Sequence, residues 1–359
     1  MLYHLHNLFP LNKMFVVLKY STFRAIWAAI TAMAITFLIG NLVIVILKKM
    51  KAGQPIRTDG PKTHHVKSGT PTMGGIMIII AVLVSTLLWA RLDNNFIWLT
   101  LFVFTWFAGL GGVDDYLKLS KKNSKGISIK VKLLGQLVGA GLVVLYLAGH
   151  PVLQGYDTFI KIPLMKFPTD LGIFYFAFVA LVVVSFSNAV NFTDGLDGLA
   201  TGSLIFSVLS VAVVAYVVGN AKFSEYLRIL YVKDASELVI FCAAVVGACL
   251  GFLWFNCHPA QVFMGDIGSL ALGASIGMIA VLVKQELLMV LIGGIFVVEA
   301  LSVLLQIISF KLFKKRIFKM APLHHHCELA GMHETKIVVR FWIVTIIIAL
   351  VSLSFLKLR

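Results

Sequence analysis

Charged residues are scarce in this sequence. Only 13% of its 359 residues are Asp, Glu, Lys or Arg, whereas 59% are hydrophobic. A soluble domain of this length would not need so large an apolar fraction for its core, so the composition predicts a polytopic membrane protein. Acids are scarcer than bases, 16 against 31, and the formal charge is +15. In a membrane protein the positions of Lys and Arg matter more than their total, and we infer no nucleic-acid partner from this excess.

Cysteines and nucleotide-binding glycine motifs are also few or absent. The chain has four cysteines, all within or beside apolar runs, and this distribution predicts no disulfide framework. The sequence contains no G-x-x-x-x-G-K-[ST] pattern, and Gly109, Gly111 and Gly112 end an apolar run instead of joining a strand to a helix. A P-loop ATPase and a Rossmann domain are therefore not indicated.

The sequence has instead about ten long apolar runs, near the length of roughly 20 residues that a helix needs to cross the hydrocarbon core. They cover residues 25–47, 73–90, 96–113, 133–149, 171–187, 199–219, 238–255, 267–283, 287–310 and 337–356. Segments 48–72, 114–132 and 311–340 hold 6, 6 and 7 of the basic residues and fall on one side of a ten-span arrangement. The positive-inside rule makes that side cytoplasmic and both termini extracytoplasmic. We predict an all-α polytopic membrane protein, one integral membrane domain over residues 1–359, with its cleft on the cytoplasmic face.

Two adjacent acids, Asp114 and Asp115, end the third apolar run and are followed by six lysines within residues 118–132. An ionised side chain near the hydrocarbon edge costs free energy, so a pair of them favours a metal site or a phosphate-handling site. The alternative is two solvated acids that are neutralised by their lysine neighbours at the interface.

Polar residues recur every third position at the end of the fifth run, as Asn188, Asn191, Asp194 and Asp197. They share one face if the backbone stays helical. Glycines in the same stretch indicate instead that the backbone approaches a ligand closely. A helix cap would explain one of the acids, but it would not explain two acids and two amides.

The eighth run begins at Asp266, on the same predicted side of the membrane. Asp266 is also compatible with a plain helix cap. The preceding Phe263 fits either an interfacial anchor or a platform on which a base stacks. Before the second run, Lys67 and Thr72 lie in a Gly/Thr-rich turn that could bind an anion or contact anionic lipid.

Residues 324–326 are three consecutive histidines in the last predicted cytoplasmic loop. Adjacent side chains diverge and no C-x-x-C partner exists in the sequence, so a zinc site is not favoured. A cluster of imidazoles is better suited to holding phosphate oxygens or moving a proton. In the ninth run, Glu299, Ser302 and Gln306 share one helix face, which predicts either a functional site or an interhelical hydrogen bond.

These polar groups together predict phosphoryl transfer. Converging carboxylates suit a hard divalent cation, and one that also takes substrate phosphate oxygens suggests Mg²⁺. Lysines and histidines would balance a polyanionic substrate, and catalysis would then rest on positioning and charge stabilisation. Because the site lies at the membrane surface, we predict one lipid phosphate substrate from the bilayer and one soluble phosphate donor from the cytoplasm.

Four segments, GGVDDYLK, NAVNFTDGLDGLA, FNCHPAQVFMGDIGS and APLHHHCE, resemble the polyprenyl-phosphate N-acetylhexosamine-1-phosphate transferases over essentially the whole chain. The triple histidine after Pro322 resembles the phospho-N-acetylmuramoyl-pentapeptide-transferase branch of that family. The resemblance implies transfer of phospho-N-acetylmuramoyl-pentapeptide from UDP-N-acetylmuramoyl-pentapeptide to undecaprenyl phosphate. The products would be UMP and lipid I for peptidoglycan, made at the bacterial cytoplasmic membrane.

The resemblance also implies residue roles. Asp266 would ligate Mg²⁺ with Asp115 close to the metal, Asp114 and Asp115 would deprotonate or orient the lipid phosphate, and His324 would join them in catalysis. Phe263 would stack on the base in a uridine pocket. The full set implied for substrate binding is Lys67, Thr72, Lys118, Lys130, Asn188, Asn191, Asp194, Gly195, Leu196, Asp197, Asn256, Phe263, Gln306, His325 and His326.

Two alternatives stay open. A close relative would use UDP-N-acetylglucosamine as its donor, although the context of residues 323–327 argues against it. A cation-coupled transporter would also use interfacial acids, but it should have two related halves, and we find no repeat linking 25–187 to 199–356. The sequence decides neither the oligomeric state, for which a homodimer is one option, nor a one-step or a covalent two-step mechanism.

Overall fold

The computed structural model describes residues 1–8, 13–50, 69–120, 126–152, 155–163, 165 and 167–357. Its helices are α1 Leu5–Leu8, α2 Lys13–Val16, α3 Ser21–Lys49, α4 Gly75–Trp89, α5 Asn95–Ser120, α6 Ile129–Gly149, α7 Phe174–Thr193, α8 Leu199–Val218, α9 Ala221–Leu227, α10 Leu238–Asn256, α11 Gly265–Leu282, α12 Glu286–Ile292, α13 Gly294–Phe313, α14 Leu323–Leu329 and α15 Glu334–Ser354. Two short strands, β1 Phe159–Ile160 and β2 Thr169–Asp170, pair antiparallel between α6 and α7.

The predicted all-α polytopic architecture is confirmed. Within the described residues, nine helices are long and apolar enough to cross a membrane. The second predicted run forms α4, which has only 15 residues and is the shorter tenth apolar helix. The side of the membrane on which each end lies, and the organisation as a single domain, stay predictions.

The ninth predicted run is not one helix. The run 287–310 is divided at Gly293 into the short helix α12 and the longer helix α13. Two consecutive glycines, Gly293 and Gly294, stand at the junction, and glycine has a low preference for the helix interior. The apolar length of the run was sufficient to predict a span, but it did not reveal the break.

The helix α11 is the most enclosed of the apolar helices, with 83% of its 18-residue apolar window buried. It packs against α4, α5 and α7. Small residues on α11 allow this approach: a side chain at Gly273 would lie 2.3 Å from the Phe186 carbonyl oxygen of α7. The first turn of α11 therefore lies beside the last turns of α5 and α7 and the start of α4, which brings distant polar residues to one end of the bundle.

The other end of the bundle is held by a buried ion pair. Arg24 of α3 pairs with Glu237, which precedes α10, and both side chains are almost fully buried. Arg24 also donates to the Trp89 carbonyl oxygen at 3.0 Å, and the Arg91 backbone amide donates to Glu237 at 2.7 Å. These contacts join α3, the end of α4 and the start of α10, opposite the end that carries the carboxylates.

Candidate functional site

Three carboxylates converge where the end of α5 meets the start of α11. Asp114 and Asp115 each expose only 2% of their surface, and Asp266 is partly buried. The three residues each offer one oxygen atom, and these atoms lie within 4.8 Å of one another. The C-terminal part of α5 and the first turn of α11 present their acids to the same space.

Two lysines neutralise this group of acids. The Nζ atom of Lys118 lies 2.6 Å from Asp114, 2.9 Å from Asp266 and 3.6 Å from Asp115. The Nζ atom of Lys132, on α6, lies 2.6 Å from Asp266 and 3.8 Å from Asp114. Charge-assisted contacts of this kind are stronger than neutral hydrogen bonds. The acids are therefore paired inside the protein, and the interpretation of two solvated acids does not describe Asp114 and Asp115.

Backbone amides hold the remaining carboxylate oxygens. The Ile127 amide donates to Asp114 Oδ1 at 2.6 Å, and the Ile267 amide donates to Asp115 Oδ2 at 3.1 Å. Each of these acids thus has one oxygen fixed by the backbone and takes part through the other in the charged cluster. Such fixed orientation is what a preorganised electrostatic site requires.

Asn191, at the end of α7, reaches the same cluster. Its amide donates to Asp266 Oδ1 and to Ser269 Oγ, both at 2.8 Å. Asp194 follows α7 and accepts a hydrogen bond from the Gly265 backbone amide. Burial and the negative charges of Asp266 and Asp115 raise the pKa of Asp194 to about 7. Asn191 and Asp194 therefore both reach the start of α11, Asn191 at the Asp266 side chain and Asp194 at the Gly265 amide.

The segment on either side of Thr72 pairs with Phe263 through the backbone. The Phe263 amide donates to the Pro71 carbonyl oxygen, and the Gly74 amide donates to the Phe263 carbonyl oxygen, both at 2.8 Å. This pairing fixes the buried Thr72 near the start of α11, and the Phe263 ring stays partly exposed. Asn256 is buried and supports the same loop, since it accepts from Thr201 at 2.8 Å and donates to the Val262 carbonyl oxygen at 2.9 Å.

A second polar cluster surrounds Asp197. Its Oδ2 atom lies 3.1 Å from His258 Nδ1 and accepts from the Ala260 amide at 3.1 Å, while its own amide donates to Glu334 at 2.9 Å. His258 Nδ1 is also 3.8 Å from Glu334 Oε2. These contacts join the turn before α8, the loop after α10 and the first residue of α15. The neighbouring Leu196 is buried in the same turn.

The three histidines on α14 face different surroundings. His324 is fully buried, with its ring against the turn that contains Gly195. His325 Nδ1 lies 2.7 Å from Glu328 Oε2, and His326 Nδ1 accepts from the Lys319 amide at 3.1 Å. His325 and His326 are both partly exposed. The divergence expected of adjacent side chains is only partial, because the His324 and His325 ring centroids lie 4.2 Å apart.

Other residues predicted for substrate binding lie apart from the carboxylates or are engaged by the protein. Asn188 exchanges hydrogen bonds with Gln136 of α6 at 2.8 and 3.2 Å. Gln306 accepts from the Ile317 and Phe318 amides and donates to the Phe318 carbonyl oxygen, so its amide holds the loop after α13. Lys130 is exposed. Lys67 lies outside the described residues.

Sequence reasoning did not select Lys132, His258 and Glu334. For Lys132 a signal was present, because Lys130 and Lys132 stand two apart and project in different directions on a helix. Lys132 shares its face with Gln136, which is buried against α7, so the α6 register could have chosen between the two lysines. For His258 and Glu334 no local signal existed, because each meets Asp197 only through tertiary packing.

The donor set around Asp266 fits a divalent cation. Three carboxylate oxygens from two helices lie close enough to share one ion, and oxygen ligands of this kind suit hard cations. The lysine amines at 2.6 to 2.9 Å from Asp114 and Asp266 mark the same position as favourable for positive charge. Among the described residues the Asp197, His258 and Glu334 cluster also brings three ligand atoms together.

The chain matches known proteins along its whole length. Residues 96–284 match the model described as glycosyl transferase family 4, and residues 67–79 match the model described as phospho-N-acetylmuramoyl-pentapeptide-transferase signature 1. Relatives named phospho-N-acetylmuramoyl-pentapeptide-transferase from Citrifermentans bemidjiense and Desulfotalea psychrophila are each 52% identical to it. The matches extend over 366 and 364 residues and cover 100% of both chains in each case.

A bundle of apolar helices with buried acids and lysines at one end, together with the match over residues 96–284, defines a multi-pass membrane enzyme of glycosyl transferase family 4. Within that family the chain belongs to the phospho-N-acetylmuramoyl-pentapeptide-transferases, which it matches from end to end. The family predicted from the four sequence segments is therefore confirmed.

Proposed function

We propose that this protein transfers phospho-N-acetylmuramoyl-pentapeptide from UDP-N-acetylmuramoyl-pentapeptide to undecaprenyl phosphate in peptidoglycan synthesis. The observation that carries the proposal is the convergence of Asp114, Asp115 and Asp266 with two lysines in a chain of this family. In the net reaction an oxygen of the lipid phosphate bonds to the phosphorus that carries the sugar. The bond between that phosphorus and the oxygen retained by UMP breaks, and lipid I and UMP leave.

We propose different roles for the three acids at the reacting phosphates. Asp266 and Asp115 are proposed to hold Mg²⁺, which supplies charge neutralisation on the phosphate oxygens when it is bound. Asp114, whose Oδ1 atom is fixed by the Ile127 amide, orients the lipid phosphate through its other oxygen. Lys118 and Lys132 balance the negative charge that acids and phosphates bring to one place.

The donor nucleotide is proposed to bind next to this centre. Phe263 is partly exposed and offers a ring face for the uracil, while Asn256 and Asp197 are held by backbone contacts and shape the pocket. Gly195 and Leu196 complete its wall. From the family resemblance we also propose that Lys67, Thr72, Lys130, Asn191, Asp194, His325 and His326 contact substrate, whereas Asn188 and Gln306 are engaged with Gln136 and with the loop after α13.

The proposed substrates indicate the membrane location and orientation of the enzyme. A lipid phosphate reaches the site from the bilayer, and a nucleotide donor requires a site on the cytoplasmic face of the bacterial inner membrane. The three Lys-rich and Arg-rich segments support that orientation through the positive-inside rule. Assembly as a homodimer and a single-domain organisation stay predictions.

The test is release of UMP by the purified, detergent-solubilised protein with undecaprenyl phosphate and Mg²⁺. We expect release with UDP-N-acetylmuramoyl-pentapeptide and none with UDP-N-acetylglucosamine. Release only with the glucosamine donor would move the protein to the other donor class. Absence of release with either donor, in folded protein, would contradict the proposed transferase activity and return attention to cation-coupled transport.

A separate experiment tests the assignment of Asp266 as a metal ligand. Asp266→Asn should abolish Mg²⁺-dependent release and weaken Mn²⁺ binding measured by electron paramagnetic resonance. Asp170→Asn, an equivalent change on the exposed strand β2, is the matched control and should alter neither quantity. Undiminished Mn²⁺ binding by Asp266→Asn would contradict the assignment of Asp266 as a ligand.

A further inference from the structure

Glu299 is a fully buried acid in the second turn of the apolar helix α13. Its carboxylate accepts backbone hydrogen bonds from Leu323 at 2.8 Å and from His324 at 3.2 Å. The same carboxylate lies 3.3 Å from His324 Nδ1. A buried ionisable group is costly unless it is paired and hydrogen-bonded, and here all its described partners belong to the start of α14.

The imidazole of His324 is enclosed between Glu299 and the turn before α8. The ring has no exposed surface, and a Cβ atom built at Gly195 would lie only 2.3 Å from His324 Nε2. Among the described residues neither Nδ1 nor Nε2 has a hydrogen-bond partner, so the approach of Glu299 to Nδ1 is a charge contact and not a hydrogen bond. His324 is thus packed directly against the backbone of the turn that carries Asp194 and Asp197, and it does not face the open cleft.

The position of Glu299 selects the protonation of the ring. A carboxylate at 3.3 Å from Nδ1 favours a proton on Nδ1, and in the neutral ring this leaves the lone pair on Nε2. The charged and titratable groups around this point are Glu299 on α13, His325 and Cys327 on α14, and the acids of the turn at 194 and 197. The Glu299 carboxylate lies 3.3 Å from Nδ1, and the His325 ring lies 4.2 Å from the His324 ring between centroids.

We propose that Glu299 is a positioning residue of the transferase: through His324 it holds α14 against the Gly195 turn and thereby fixes the donor side of the site. The inference rests on the proposed function for its kinetic consequence, but its structural part stands on the contacts alone. It assigns His324 a buried supporting role and leaves His325 and His326 as the histidines that can meet substrate.

A plain interhelical hydrogen bond is the competing explanation, and Glu299→Gln separates the two. Glutamine keeps the size of the side chain and one oxygen that can accept a backbone amide, but it removes the negative charge. If Glu299 only ties α13 to α14, this variant should keep most of the activity. If the negative charge of Glu299 determines which nitrogen of the His324 ring carries the proton, the variant should have a lower kcat.

The first measurement is ¹⁵N solid-state NMR of histidine-labelled protein in lipid bilayers. The His324 signals are those that disappear in His324→Gln. We expect His324 to carry a proton on Nδ1 in the wild type and to change its ¹⁵N shifts in Glu299→Gln. Ser302→Ala is the matched control, because Ser302 is buried one turn along and binds the Glu299 carbonyl oxygen without touching the carboxylate.

The second measurement is the kinetics of UMP release. Removal of a residue that orients another typically costs about 10- to 100-fold in activity, and we expect this loss in kcat for Glu299→Gln. Ser302→Ala should retain kcat within twofold. Unchanged kcat in Glu299→Gln, or a wild-type His324 protonated only on Nε2, would overturn the inference. If Glu299→Gln does not fold, the wild-type ¹⁵N spectrum still decides, and lack of UMP release by the wild type would count against the proposed function alone.

Discussion

The amine of Lys132 lies 2.6 Å from Asp266 and 3.8 Å from Asp114, although the three residues belong to α6, α11 and α5. This lysine therefore joins three helices at the carboxylate cluster. Lys130, two residues earlier on α6, is exposed. Two residues apart on a helix correspond to nearly opposite directions, so only one of these lysines can serve the cluster.

We expect Lys132→Gln to lower kcat/KM for UMP release much more than Lys130→Gln does. A hydrogen bond to a charged group contributes about 1.5–3 kcal/mol, which corresponds to about 10- to 100-fold in rate. The two variants make the same change of charge on the same helix, so their comparison removes any general effect of the positive loop. Equal losses at both positions would contradict the role given to Lys132.

Gly111 of α5 touches the backbone of α11 at Asp266. A Cβ atom at Gly111 would lie 2.2 Å from the Asp266 carbonyl oxygen, so Gly111→Ala must move the two helices apart. Overpacking of this kind costs about 1–3 kcal/mol, and misplacement of reacting groups by about 1 Å can cost 100-fold in rate. We expect a large loss of activity, measured as UMP release.

Gly109→Ala is the matched control for this prediction. Gly109 lies two residues earlier on the same helix, but it is exposed and a Cβ atom there meets no other atom within 4 Å. Alanine stabilises a helix interior by roughly 0.5–1 kcal/mol relative to glycine. Activity should be retained, and a loss as large as that of Gly111→Ala would contradict the close contact of α5 and α11.

Asp194 should make the stability of the protein depend on pH. Its pKa is raised to about 7 by burial and by the charges of Asp266 and Asp115, against an unfolded value of about 3.9. The folded protein therefore binds more protons at this group between these values, and the stability it contributes at low pH is lost as the pH rises through about 7. Asp194→Asn should remove this part of the pH dependence.

The measurement is thermal unfolding in detergent with EDTA at pH 5 and pH 8. The change in melting temperature from the wild type to Asp194→Asn should be more positive at pH 8 than at pH 5. Asp170→Asn is the control, because hydrogen bonds from Thr158 and Gly172 lower the pKa of that exposed acid, and its titration lies below this range. An identical difference between Asp194→Asn and wild type at both pH values would refute the prediction.

The four cysteines should react with maleimides in a defined order. Cys257 is exposed in the loop after α10, whereas Cys242 and Cys249 are buried within that helix. Cys327 is partly buried, and burial followed by the charge of Glu299 raises its pKa, which lowers its thiolate fraction. We expect labelling of Cys257 first, Cys327 more slowly, and Cys242 and Cys249 only after unfolding.

The same cysteines test the predicted orientation. A membrane-impermeant maleimide should label Cys257 in inside-out vesicles, whose cytoplasmic face is exposed, and it should fail to do so in right-side-out vesicles. A Cys257→Ser variant identifies the labelled site. Labelling only from the extracytoplasmic side would contradict the placement of the carboxylate cluster at the cytoplasmic face.

Much of the site was accessible from the sequence because its acids stand at the ends of apolar runs. Asp114 and Asp115 close one span and Asp266 opens another, so a model of alternating spans already brings them to one face. The match of the spans to helices follows from a local property, since transfer of each run of apolar side chains out of water is favourable wherever the run lies. The break at Gly293 was missed because the run keeps its apolar character through the two glycines.

The sequence by itself determined the class of fold, the number of apolar helices within one or two, and the acids that gather at one end. Only the tertiary structure decided which of the two α6 lysines reaches Asp266, that Glu334 and His258 meet Asp197, and that His324 is buried beneath Gly195. The physical reason is that spans follow from short stretches of chain, whereas these contacts join residues far apart in sequence. Such contacts depend on how closely two helix surfaces pack, and on which few side chains then remain within hydrogen-bond distance.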